Sequence, residues 1–134
     1  MRTKVAAFAV AAGLIAATGS VTAHHSFAAE FDANKALTLK GTVTKIEWQN
    51  PHTYFYLDVK GADGKIVNWG LEMASPNGLM RQGWTRNTLK IGDSVTVEGS
   101  QAKDGTNVGN ARVVILDATG QRLFAASSQT DTPH

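Results

Sequence analysis

Residues 37–48 read Leu-Thr-Leu-Lys-Gly-Thr-Val-Thr-Lys-Ile-Glu-Trp, and this stretch predicts one long β-strand whose inward face changes. The apolar residues fall at odd positions as far as Val43 and at even positions from Ile46 onward. Because neighbouring side chains of a strand point to opposite faces, this switch requires a β-bulge or a sharp coil, and Gly41 supplies backbone freedom nearby.

Two alternating strands joined by a tight turn follow. Residues 53–59 place Phe55, Leu57 and Val59 on one face and Tyr54, Tyr56 and Asp58 on the other. Gly61-Ala-Asp-Gly64 predicts a hairpin turn, because Asp-Gly readily adopts the positive φ angles that such turns need. Residues 66–73 return as a third strand, with one face formed by Val67, Trp69, Leu71 and Met73.

A short helix is expected after the third strand. Ser75 can cap the first amides, Pro76 suits the first helical position and Gly83 suits the end. Two more strands follow at 94–99 and 111–116, and their inward residues are expected to be Val95, Val97, Val113 and Ile115. A last hairpin through 117–120 is predicted to pair residues 122–124 with a neighbouring strand.

This order of elements predicts an all-β fold with one short helix. Three meandering strands, a helix and two further strands match the five-stranded OB-fold, a Greek-key barrel with its helix between strands three and four. Residues 89–99, Leu-Lys-Ile-Gly-Asp-Ser-Val-Thr-Val-Glu-Gly, are typical of the start of the fourth strand in OB domains. We expect residues 37–124 to form an OB-fold-like barrel, and a β-sandwich is the alternative.

The first 23 residues have the organisation of a secretory signal. Met-Arg-Thr-Lys precedes an apolar run over 5–17 and a small-residue stretch that ends at Ala23, in the order charged region, hydrophobic region and cleavage site. The run is shorter than the about 20 residues that a spanning helix needs, so no membrane span is expected after cleavage. We expect a periplasmic or secreted domain with an N-terminal arm at 24–36 and a disordered tail at 125–134.

The mature chain, residues 24–134, is expected to be electrically neutral. Arg2 and Lys4 account for the net charge of +2 of the full sequence, which leaves 11 basic and 11 acidic residues. A neutral domain with no run of Lys or Arg lacks the basic surface that nucleic acids require. The sequence holds no cysteine, which excludes disulfides, thiolate metal sites and thiol catalysis.

Three histidines form the candidate metal site. Cleavage after Ala23 makes His24 the first residue, so its free amine and its imidazole can bind one ion together, while His25 adds a second imidazole and a deprotonatable amide. His52, in an Asn-Pro-His loop after the first strand, can supply a third ring. Copper(II) favours tetragonal nitrogen donors, so copper is expected ahead of zinc.

Bringing these rings together requires the arm to reach His52. We expect the start of the first strand to lie away from the loop at its end, so the arm would have to fold back along the barrel. The alternative is incidental chelation by the paired terminal histidines, with His52 closing a turn. His134, in the tail, is expected to take no part.

An aromatic face is the second candidate site. OB-folds bind ligands across strands two and three and the loops beside them. If Trp48, Tyr54 and Tyr56 form an exposed patch, they suit a sugar, a peptide or another protein. Asn68 and Glu72 can add polar contacts to such a groove. The alternative is that the tryptophans fill the core and its rim.

The sequence contains no catalytic motif, so we expect a binding module rather than an enzyme. Glu47, Glu72 and Glu98 lie on predicted strands, where outward carboxylates are usually solvated, and no nucleophile elbow, metalloprotease helix or phosphate loop occurs. The leading hypothesis is an exported periplasmic module that binds copper. Its alternative is a ligand- or protein-binding OB domain that uses the aromatic face without a metal. The expected partners are a small molecule, a metal ion or another periplasmic protein.

Three segments resemble a bacterial exported family, domain of unknown function 6152. They are Ala-His-His-Ser-Phe-Ala-Ala-Glu-Phe-Asp at 23–32, Leu-Lys-Gly-Thr-Val-Thr-Lys-Ile-Glu-Trp-Gln-Asn-Pro-His at 39–52 and Asn-Trp-Gly-Leu-Glu at 68–72. The resemblance extends over nearly the whole mature chain and implies an exported, OB-fold-like β-barrel domain. It brings no assigned catalytic residues, although both histidine-containing segments belong to it.

Overall fold

A computed structural model describes residues 27–126, which form a mostly antiparallel β-sheet with two short helices. The elements in chain order are α1 (Phe27–Glu30), β1 (Phe31–Glu47), β2 (Tyr54–Lys60), β3 (Ile66–Glu72), α2 (Pro76–Arg81), β4 (Ser94–Ala102), β5 (Val108–Leu116) and β6 (Gln121–Phe124). The predicted all-β class is confirmed, as is the position of the predicted helix between the third and fourth strands.

The strands belong to one sheet that closes on itself. Their order is β3-β2-β1-β4-β5-β6, and β3 also pairs with β5 in parallel through residues 70–72 and 108–110. The pairings β1-β2-β3-β5-β4-β1 therefore form a circuit, although the strands are not spaced evenly around one axis. Among the described residues a single sheet holds all six strands, unlike the two packed sheets of a sandwich.

The predicted change of face in β1 is confirmed. The pairing of β1 with β2 shifts between Val43 and Lys45, so Thr44 is the extra residue of a bulge. Val43 is buried and Ile46 packs against the core. These residues are three positions apart, so they would point to opposite faces in a regular strand. The close approach of β1 and β2 explains why residue 41 is a glycine. A Cβ at this position would lie 2.4 Å from the backbone oxygen of Asp58.

Within the predicted N-terminal arm at 24–36, the described residues form α1 and the first part of β1. Phe31 is buried and pairs with Ala102, and its ring lies 5.7 Å from that of Phe27 in α1. A register shift separates Phe31 from Ala36, and within it the Asn34 amide donates to the Asp32 carboxylate. Residues 32–34 therefore form an irregularity inside a longer strand. Residues 1–26, including the predicted signal, lie outside the described residues.

The core fills the inside of the circuit and is closed at one end by α2. Ser75 accepts from the Gly78 amide, Pro76 occupies the first turn, and Gly83 has a φ of 93°, so the predicted cap and stop are both confirmed. The largest fully buried side chains include Trp84, Phe31, Phe55, Leu57, Leu71, Met73 and Leu79. Trp84 also donates its indole N–H to the Phe124 carbonyl at 2.8 Å, which ties this end to β6.

The chain after β6 corrects the predicted start of the tail at residue 125. Ala125 and Ala126 are fully buried. The amide of Ala74 donates to the carbonyl of Ala125, and the amide of Ala125 donates to the carbonyl of Arg112. The small side chains of residues 125 and 126 therefore allow neighbouring backbone segments to approach closely, and they do not indicate disorder. Residues 127–134, including His134, lie outside the described residues.

The inward face of β5 also differs from the prediction. The register with β4 shifts because Glu98 pairs with Val113 while Gly99 pairs with Ala111, which leaves Arg112 as the extra residue. The bulge inverts the alternation, so Ala111 and Val114 enter the core cluster. Val113 is buried outside that cluster and Ile115 is half-buried.

Candidate functional site

Polar side chains collect where β2 begins and β3 ends. Tyr54 is paired with Glu47 of β1 on one side and with Glu72 of β3 on the other. Glu72 is in turn paired with Asn110 of β5, and both of these side chains belong to buried residues. The His52 loop leads directly into this part of the sheet. We call His52, Tyr54 and Glu72 the His52 cluster.

Tyr54 and Glu72 are joined by a short hydrogen bond. The Tyr54 hydroxyl donates to Glu72 Oε2 at 2.6 Å, and Glu72 is only 7% exposed. Burial raises the pKa of the Tyr54 hydroxyl well above its usual value, and the hydrogen bond and charge of Glu72 raise it further. The phenol therefore stays protonated and acts as a donor to a carboxylate that has little contact with water.

His52 lies beside the same carboxylate. Its Nδ1 is 3.3 Å from the Met73 carbonyl oxygen and 3.7 Å from Glu72 Oε1. Both neighbouring atoms are acceptors, so the arrangement favours the tautomer with a proton on Nδ1. Nε2 then carries the lone pair, on a side chain that is 32% exposed. Both of these acceptors thus face Nδ1 and neither faces Nε2.

The start of the described chain lies near this cluster, contrary to the sequence expectation. Strand pairing places the start of β1 on this side of the sheet, because Phe31 pairs with Ala102 of β4, while Ser100 of β4 pairs with Asn110, the partner of Glu72. Glu30 is held by its carbonyl, which accepts from the Lys103 amide. The closed circuit explains the error, because it brings the first residues of β1 back to the end of the sheet where β2 starts. His24 and His25 lie outside the described residues.

Metal ligands are incomplete within the described part of the chain. Among residues 27–126, no three His, Asp or Glu side chains are grouped so that they could hold a metal ion. His52 is the one histidine in this range. Any metal site that uses the His52 ring therefore needs donors from another segment or from a bound molecule.

The predicted aromatic patch is divided between two faces of the sheet. Tyr54 and Tyr56 lie on the outer face, but Trp48 is half-buried and packs against the core cluster. Trp48 continues the inward series of Ile46, which follows the bulge in β1. The structure therefore agrees with the alternative in which this tryptophan fills the rim of the core.

The polar groups of the outer face already bind one another. The Nζ atom of Lys45 lies 2.8 Å from Glu47 Oε1 and 5.3 Å from the centre of the Tyr56 ring. The hydrogen bond with Lys45 lowers the pKa of Glu47, while burial and then the charge of Glu47 raise the pKa of Tyr56. The Asn68 amide donates to Asp58 at 2.9 Å. The hydrogen-bonding groups of this face are therefore largely engaged with one another.

Sequence reasoning named all three members of the His52 cluster but assigned them to different sites. His52 was expected in the metal site, whereas Tyr54 and Glu72 were expected on the aromatic face. A signal for their contact was available, because the turn from Gly61 to Lys65 closes a hairpin in which counting back pairs Tyr54 with Glu72. No sequence pattern near Glu30 predicts that its charge acts on Tyr54.

A cavity of about 510 Å³ lies elsewhere, between residues 87–94 and 116–119. Its carboxylate Asp117 accepts hydrogen bonds from Ser94 at 2.7 Å and from Thr96 at 2.9 Å. The Ser94 bond in particular lowers the pKa of Asp117. These bonds join β4 to the end of β5, so the carboxylate has a structural role.

Comparisons with known proteins agree with the resemblance in the sequence. No curated protein matches the chain. No helix within residues 27–126 has the length and apolar character needed to cross a bilayer. The model of a family of unknown function, DUF6152, matches residues 10–111, which is well over half of the sequence. The protein therefore belongs to the family of unknown function DUF6152.

Proposed function

We propose that this protein is an exported periplasmic module that binds Cu(II) through His52 and the mature N-terminal residues His24 and His25. The observation that carries the proposal is the setting of the His52 ring. Its Nδ1 faces the Met73 carbonyl at 3.3 Å and the Glu72 carboxylate at 3.7 Å. Histidines that bind metals commonly direct their second ring nitrogen at a carbonyl or a carboxylate in this way.

The position of α1 supports a contribution from the N-terminus. His24 lies six positions before Glu30, whose charge acts on Tyr54 of the His52 cluster. A chain of six residues spans at most about 20 Å when fully extended. In this proposal, the short segment before α1 brings the amine and imidazole of His24 to the His52 ring after cleavage at Ala23.

The donor set favours copper. An α-amine, a deprotonated amide and imidazoles are nitrogen donors that suit the tetragonal geometry of Cu(II). Thiolates are excluded because the sequence has no cysteine. The Nε2 atom of His52 would complete the set as a ligand from the folded domain. Without it, the terminal histidines would form a chelate that any peptide with this start could form.

Ligand binding on the aromatic face, without a metal, is the alternative. It gains less support because Trp48 packs against the core and the Asn68 amide already bonds to Asp58. A ligand there would have to replace existing hydrogen bonds. It would contact Tyr54 and Tyr56 without the neighbouring tryptophan.

The experiment is a Cu(II) titration of protein exported with its own signal. Mass spectrometry first checks that His24 is the terminal residue. Affinity is then measured against a competing chelator for the wild type, for His52→Ala and for a form with one extra N-terminal residue. Both changes are expected to weaken binding, and electron paramagnetic resonance of the His52→Ala complex is expected to show one nitrogen ligand fewer.

His134→Ala is the matched control, because it removes a histidine that has no part in the proposed site. Its affinity for Cu(II) is expected to equal that of the wild type. If His52→Ala binds copper as tightly as the wild type, only an incidental terminal chelate exists and the proposal fails. A mature protein that begins at another residue would also refute it.

A further inference from the structure

Two glutamates flank Tyr54 in the sheet, and they have different surroundings. Glu47 is paired with Tyr54 from β1 and its carboxylate binds Lys45 at 2.8 Å. Glu72 is paired with Tyr54 from β3, accepts the Tyr54 hydroxyl at 2.6 Å and lies 3.7 Å from His52 Nδ1. Of these two glutamates, it is Glu72 whose carboxylate these contacts place beside the His52 ring.

We infer that Glu72 is a positioning residue for His52, holding the proton on Nδ1 and strengthening Nε2 as a metal ligand, with Tyr54 fixing the carboxylate in place. This inference rests on the proposed function for its consequence in copper binding. Its effect on the tautomer of His52 does not require copper.

Burial and charge make Glu72 effective at the His52 ring. The side chain of Glu72 is 10% exposed, so its charge is weakly screened by water at the His52 ring. A negative charge near Nδ1 stabilises the proton there and increases the electron density that Nε2 can donate. The Tyr54 hydroxyl, bound to Oε2, leaves Oε1 as the oxygen nearest to His52. Each oxygen of the carboxylate thus has its own neighbour.

The Met73 carbonyl is the competing explanation for the orientation of the ring. It lies 3.3 Å from Nδ1, closer than Glu72 Oε1 at 3.7 Å. A backbone carbonyl survives every side-chain substitution, so variants of Glu72 separate the two contributions. Glu72→Ala removes the acceptor and the charge, whereas Glu72→Gln removes the charge and keeps one acceptor oxygen, which can face His52 Nδ1 while the new NH2 group donates to the Tyr54 hydroxyl oxygen.

The first test uses metal-free protein. Long-range proton–nitrogen NMR spectra of the neutral imidazole report which ring nitrogen of His52 carries the proton. The His52→Ala variant identifies the His52 signals. We expect the Nδ1-protonated form in the wild type, a shift toward the Nε2-protonated form in Glu72→Ala, and recovery in Glu72→Gln. An unchanged tautomer in Glu72→Ala would show that the Met73 carbonyl suffices and would overturn the inference.

The second test is Cu(II) affinity, with Glu47→Gln as the matched control. Loss of the charge in Glu72→Gln is expected to weaken binding about 10- to 100-fold, as is typical for partners of metal-bound histidines. The number of nitrogen ligands in the paramagnetic resonance spectrum is expected to stay the same. Glu47→Gln removes an equivalent charge from the other side of Tyr54 and is expected to change affinity less than about threefold.

These outcomes separate the two proposals. Equal copper affinity of the wild type and His52→Ala refutes the proposed function, whatever the tautomer. Equal losses of affinity in Glu72→Gln and Glu47→Gln, with His52 still required, refute the role of Glu72 and leave the copper site intact. If Glu72→Ala fails to fold, the comparison of the two glutamine variants still decides the question.

Discussion

The hydrogen bond from Tyr54 to Glu72 predicts a large difference between two substitutions that are chemically identical. Tyr54 and Tyr56 are two residues apart on the outer face of β2, and changing either to Phe removes one hydroxyl. The Tyr54 hydroxyl donates at 2.6 Å to a carboxylate on a residue that is 7% exposed. The Tyr56 hydroxyl lies on the more open part of the face near Lys45 and Glu47.

The magnitude follows from the charge and burial of the acceptor. A hydrogen bond to a charged group contributes about 1.5–3 kcal/mol, and the loss lies toward the upper part of this range when the group is buried. Tyr54→Phe should therefore lower the free energy of unfolding by about 2–3 kcal/mol. Tyr56→Phe should lower it by less, because Glu47, the carboxylate near the Tyr56 hydroxyl, is bound to Lys45 and is more exposed than Glu72.

The assay is equilibrium unfolding in urea of the mature metal-free protein, followed by tryptophan fluorescence. With a slope of about 1–3 kcal/mol per molar, Tyr54→Phe should lower the unfolding midpoint by roughly 0.7–3 M, with an unchanged slope. Equal midpoints for the two variants would refute the reasoning, because the Glu72 carboxylate would then not depend on the Tyr54 hydroxyl. A larger loss in Tyr56→Phe would refute it as well.

Three further predictions concern the fold around the site. Thr53 is fully buried and its hydroxyl has no hydrogen-bond partner among the described residues, so Thr53→Val should match or exceed the wild-type unfolding free energy, by up to about 1 kcal/mol in urea titrations. Gly99→Ala should lower that free energy by at least about 3 kcal/mol, or prevent folding, because its Cβ would lie 1.8 Å from the Asn110 carbonyl oxygen. The lowered pKa of Asp117 means that its contribution to stability is present above its unfolded pKa, near 3.8, and is lost as the pH falls through the folded value. Asp117→Asn should therefore reduce the loss of thermal stability on acidification, and an unchanged pH profile would contradict the role of the Ser94 hydrogen bond.

Much of the local structure could be predicted because it depends on neighbouring residues. The change from odd to even apolar positions around Val43 required a bulge, and the structure has one at Thr44. The hairpin at Gly61–Gly64 and the cap at Ser75 could likewise be predicted from short sequence motifs. Each follows from the geometry of one strand, turn or helix end, without knowledge of what packs on it.

Other local features escaped prediction because a distant strand determines them. The extra residue Arg112 in β5 arises from its pairing with β4, and nothing in the alternation of residues 111–116 distinguishes that register from the regular one. Ala125 and Ala126 look like a tail in sequence, yet the approach of Ala74 and Arg112 buries them. Small side chains allow either outcome.

The candidate site also combines features that the sequence alone determines with features that only the tertiary structure determines. From the sequence alone came the three histidines, the nitrogen donor set expected after cleavage and the order of strands. Only the closed circuit of paired strands brought α1 near the start of β2 and set the Glu72 carboxylate beside the His52 ring. The physical reason is that side-chain chemistry is a property of each residue, whereas proximity between residues far apart in the chain exists only after the sheet has closed.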